Sequence, residues 1–78
     1  MSDSVTMLAA KMADDVLELQ DALNEPRLFV ELGEALGAAS QTLEEAFLTE
    51  VRVRLAERAG RKFLEQRVAQ LKAEKGLE

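Results

Sequence analysis

The sequence predicts an all-α protein built on an antiparallel helical hairpin. Three observations predict it: a usage rich in helix formers, apolar residues recurring every three or four positions, and a change of charge sign between the two halves. Of 78 residues, thirteen are Leu and twelve are Ala, with three Phe, one Pro and neither Trp nor Tyr. Leu and Ala are among the strongest helix formers, whereas the aromatic residues that favour strands are scarce. The stretch with a two-residue period, residues 51–55, lies between helical flanks and reads as helix.

The first arm spans about residues 4–37. Val5, Leu8, Met12, Val16, Leu19 and Leu23 fall along one face of a helix, and Leu28, Phe29, Leu32, Ala35 and Leu36 continue an apolar face further on. Pro26 interrupts this pattern, because proline lacks an amide hydrogen and disfavours helical geometry in the residue before it. A kink is expected there, with Asn24 capping the restart. Gly37 reads as the end of the arm and residues 38–41 as the turn. Thr42, with Glu45 three residues later, has the form of a capping box opening the second arm, about residues 42–75.

The second arm continues through Phe47, Val51 and Leu55 to Phe63, Leu64, Val68 and Leu71. Gly60 is expected to soften this helix rather than end it, since Arg61 and Lys62 would place positive charge at a new helix start. Residues 1–50 carry two basic and eleven acidic residues, and residues 51–78 carry eight basic and four acidic. Opposite net charges favour folding the arms together. Pairing about the turn sets residue i near about residue 79 − i, which matches Glu18 with Arg61, Asp21 with Arg58 and Glu25 with Arg54.

Two arms make a seam rather than an enclosed core, so the hairpin is expected to dimerise into a four-helix bundle. The expected core takes Leu8, Met12, Val16, Leu19, Leu23, Leu28, Leu32 and Leu36 from the first arm. From the second it takes Phe47, Val51, Leu55, Phe63, Leu64, Val68 and Leu71. A monomeric three- or four-helix bundle, with true breaks at Pro26 and Gly60, is the alternative. Either way residues 1–78 form a single helical domain.

Catalysis is not expected. The chain has no His, no Cys and three Ser, which removes hydrolytic triads, thiol catalysis and the usual zinc sites. Gly33, Gly37, Gly60 and Gly76 lack the spacing of a phosphate-binding loop. The doublets Asp14-Asp15 and Glu44-Glu45 are poor metal ligands, because adjacent helical residues point to different faces. No cofactor is expected. Gly33 and Gly37, beside Ala38 and Ala39, form a small-residue face that suits close helix packing if it lies at an interface.

Net charge of −5 disfavours general affinity for phosphate backbones. Arg54, Arg58, Arg61 and Lys62 recur at helical spacing as a candidate basic stripe, but Glu57 and Glu65 interrupt it and the acidic first arm can neutralise it. No apolar run is long enough to cross a bilayer, interfacial Trp and Tyr are missing, and the first residues include an acid, so a cytoplasmic protein without a membrane role is expected.

These exclusions leave a small non-enzymatic protein-protein interaction module of adaptor, chaperone-like or regulatory type, acting as a homodimer with a further protein partner. A nucleic-acid-binding regulator using the basic C-terminal helix is the alternative. Apolar residues spaced by four drift about 40° per step around a helix, so the stripe from Leu43 through Phe47, Val51 and Leu55 to Phe63 winds wider than one seam needs. Phe47, Leu48 and Val51 are the candidate partner surface. The three Phe read as core, and any that proves exposed becomes the leading anchor for a partner.

Overall fold

The computed structural model describes residues 3–77. It contains three α-helices and, among the described residues, no strand: α1 is Asp3–Leu23, α2 is Leu28–Ala39 and α3 is Gln41–Glu74. The all-α class expected from composition and periodicity is the class observed.

The first arm is two helices. Asn24 adopts φ 58°, the left-handed conformation that Asn tolerates better than most residues. The Glu25 amide donates to the Gln20 carbonyl at 2.9 Å and the Asn24 amide to the Asp21 carbonyl at 3.4 Å. This is the Schellman closure of a helix C-terminus. Asn24 therefore ends α1 and does not cap α2; Arg27 precedes α2 without a side-chain cap. The buried Gln20 side chain then accepts from the Phe29 amide at 3.0 Å, holding the start of α2 beside the end of α1. The chain reverses between residues 24 and 27, where the sequence suggested a kink.

One residue separates α2 from α3. Ser40 is extended, its amide donates to the Leu36 carbonyl at 2.7 Å, and its Oγ accepts from the Leu43 amide at 3.1 Å. It closes one helix and caps the next. The capping box expected at Thr42 and Glu45 does not form, because both residues already lie inside α3. Gly37 likewise lies within α2 rather than at its end. A Cβ on Gly33 would come 3.3 Å from the Leu48 side chain, and one on Gly37 would come 2.5 Å from the Glu44 carboxylate. The small-residue face thus lies where α2 meets α3, which fits its packing reading.

Neighbour relations give the directions of the helices. Gly33 lies near Leu48 and Gly37 near Glu44, so α2 and α3 are antiparallel. Arg54 reaches Asp14 and Arg58 reaches Asp21, so α1 runs broadly along α3. α3 packs against both other helices, and the molecule extends 56 × 32 × 13 Å.

The core is Ala9, Ala13, Val16 and Leu17 from α1 with Phe47 and Val51 from α3. Met12, Leu28, Phe29, Leu32, Leu36 and Leu55 are half-buried around it. The face of α1 turned inward is therefore not the one read from its largest apolar residues. Ala9 and Ala13 face the core, and Leu8, Leu19 and Leu23 are exposed in the single chain. Small residues at a spacing of four let α1 approach α3 closely and leave room for the Phe47 ring.

Candidate functional site

The feature that stands apart from the bundle is the distal half of α3. The helix is continuous through Gly60, as the charges after that residue suggested. Beyond Leu55, every residue to Leu77 is exposed apart from half-buried Leu71. Residues 59–74 alone amount to about 24 Å of helix projecting past the bundle.

The reason lies in the winding of the apolar stripe. From Phe47 through Val51, Leu55 and Ala59 to Phe63, four steps of four residues turn the face by about 160°. Phe47 and Val51 are fully buried, Leu55 is half-buried, Ala59 is exposed and Phe63 is 66% exposed. On the arm, the face continuing the core direction carries Arg58, Lys62, Glu65 and Ala69. The apolar residues Leu64, Val68 and Leu71, in line with Val53, lie roughly 120° around the helix from the Phe47 and Val51 direction. The bundle cannot use them.

This corrects the expected partner surface. Phe47 and Val51 are core residues and Leu48 is half-buried near Gly33, so none of the three can centre an exposed patch. Exposed Leu64 and Val68 take that place, with Phe63 exposed about 100° around the helix from Leu64. Phe63, Leu64 and Val68, expected in the core, make no part of the core of the single chain.

The basic stripe is also redistributed. Arg54 spans α1 and α3: its Nε donates to Asp14 at 2.7 Å, and its Nη1 to the Glu50 carboxylate at 2.7 Å and the Glu50 carbonyl at 2.9 Å. Hydrogen bonds to Asp14 and then to Glu50 raise the guanidinium pKa above its ordinary value. Arg58 pairs with Asp21 at 3.1 Å, the one pair of the expected three that is present. Arg61 pairs with Glu57 one turn earlier, chiefly through a hydrogen bond that raises its pKa as well. Glu18 and Glu25 do not meet Arg61 and Arg54, because α1 runs along α3 rather than against it.

Lys62 is exposed and makes no ion pair among the described residues. The exposed cations Lys62, Arg67, Lys72 and Lys75 point in widely different directions at 100° per residue and form no single basic face.

Comparison with protein-family models, with curated proteins and with solved structures finds no significant match to this chain. Its functional reading rests on its own geometry.

No group of three acidic residues poised to hold a metal occurs among the described residues, and Asp14 is engaged by Arg54. A shallow dent at the C-terminal end, lined by Ala69, Lys72, Ala73 and Leu77, has a structural origin. Gly76 is left-handed with φ 72°, and the Leu77 amide donates to the Lys72 carbonyl at 2.7 Å, so the chain folds back over the last turn. Among the described residues, no helix is long and apolar enough to cross a membrane.

The winding stripe could have pointed to Phe63 as the outward aromatic, since the 40° drift per step was available from spacing alone. The inward face of α1 was harder to read, because alanine signals helix as strongly as it signals burial.

Proposed function

We propose that this protein is a non-catalytic protein-protein interaction module, and that the projecting arm of α3 is its binding element. One observation carries the reading: the arm presents Leu64 and Val68, with half-buried Leu71 beside them, on a face its own bundle does not cover, and exposed Phe63 stands on the flank about 100° around the helix from Leu64. Contiguous apolar surface of this kind marks association sites, and aromatic residues concentrate binding energy there. Homodimerisation through the arm is the primary association, with any further protein partner engaging the assembled dimer. The dispersed cations and net charge of −5 give no comparable support to a nucleic-acid reading.

The test replaces Leu64 and Val68 together by Glu. Both side chains lie outside the core, so the variant should keep the bundle folded, with any loss of helicity confined to the arm, while losing self-association in sedimentation velocity. A variant that associates as the wild type does would remove the arm from the binding surface.

A further inference from the structure

The arm is one of two apolar faces the chain leaves uncovered. The other is the outer side of α1, where Leu8, Leu19 and Leu23 are 54%, 51% and 61% exposed and Met12 is half-buried beside them. At 1.5 Å per residue the stripe from Leu8 to Leu23 is about 22 Å long, close to the length of the arm. The two faces also differ in charge. Among the described residues, α1 carries one basic residue against five acidic, whereas residues 56–77 carry six basic against three acidic.

Within one chain these faces cannot meet. Arg58 already lies beside Asp21 near the end of α1, and the arm continues away from that point. From this we infer that the arm of each chain docks antiparallel on the outer face of α1 in a second copy, reciprocally, so that Leu64, Val68 and Leu71 cover Leu23, Leu19 and Met12. The inference rests on the proposed role of the arm and names the surface that receives it.

Two features fit this occupant. The geometry of the single chain already points α1 toward the arm it would receive: α1 runs along α3 and ends where its own arm begins. Two chains facing each other therefore set each arm against the partner's α1 in the antiparallel sense. The flanking charges then agree in register. With residue i of the arm near about residue 85 − i of α1, Arg67 falls beside Glu18 and Glu74 beside Lys11, each pair on the same flank of the apolar stripe. The four side chains are exposed in the single chain and make no ion pair among the described residues.

Charge reversal tests the arrangement in the full chain. Glu18→Arg and Arg67→Glu are exposed substitutions and should leave the bundle folded, read as a cooperative helical unfolding transition. Each variant alone should weaken the dimer on the order of tenfold, because the interface is used twice and each use then sets like charges together. An equimolar mixture of the two should recover dimerisation, since one use of the interface keeps the native pair and the other carries the reversed pair. Sedimentation equilibrium reads all three. Single variants that dimerise as the wild type does, or a mixture no tighter than either variant alone, would overturn the docking on α1. Such a result leaves the arm in place as the binding element if the Leu64 and Val68 substitutions still abolish association, so the two failures are separable.

Discussion

At the scale of single residues, the chain places three phenylalanines of similar sequence context in three different environments. Phe47 is fully buried, Phe29 is half-buried beside the loop from α1, and Phe63 is 66% exposed. Their substitution should separate folding from association. Phe47→Ala empties the centre of a core with few fully buried members and should cost about 3–5 kcal/mol. That is a large share of the stability available to a domain of this size, roughly 4–12 kcal/mol at typical values per residue. Phe63→Ala should leave thermal unfolding of the bundle nearly unchanged and weaken only self-association. Equal loss of stability in both variants would mean that Phe63 is packed in the folded chain. Sequence periodicity identified all three as apolar helix positions. It could not sort them, because burial depends on which helices lie alongside, and that follows from the turns.

At the scale of the elements, much was legible and the exceptions share a cause. The continuity of α3 through Gly60 followed from the basic residues after it, and the interruption at Pro26 from proline chemistry. The direction of the chain after the interruption was not legible, since it depends on Asn24 taking a left-handed conformation rather than serving as an N-cap. Both uses suit Asn. The start of α3 shows the same degeneracy: Ser40 and Thr42 are each good caps, and the Ser40 amide bonding back to Leu36 decides between them. Only the ion pair of Arg58 with Asp21 survived the expected register, because α1 turned out to run along α3. Gly60 gives the clearest prediction for a helix in isolation from packing. Apart from its chain neighbours and the helix's own nearby backbone, no atom lies within 4 Å of where its Cβ would be. Gly60→Ala, made in the Leu64→Glu, Val68→Glu background to remove association, should stabilise the arm by about 1 kcal/mol. Amide exchange across residues 59–74 should slow accordingly. Unchanged or faster exchange would show that the arm is not helical in the dissociated chain.

At the scale of the whole molecule, the single chain is an incomplete solution to burial. Its core is drawn largely from residues 9–55, while Met7, Leu8, Leu19 and Leu23 on α1 and Phe63, Leu64 and Leu77 on the arm remain exposed. Small domains commonly supplement a modest core with disulfides, metals or association, and a chain without Cys or His has association left. An isolated projecting helix of this length is marginal in water unless something packs on its apolar face. The central claim is therefore that this face is covered by association, with a second copy of the chain as its occupant. Sedimentation equilibrium of the wild-type protein across the micromolar range tests it most directly. A reversible dimer whose dissociation leaves the bundle folded is the result expected; a folded monomer at every concentration would contradict it.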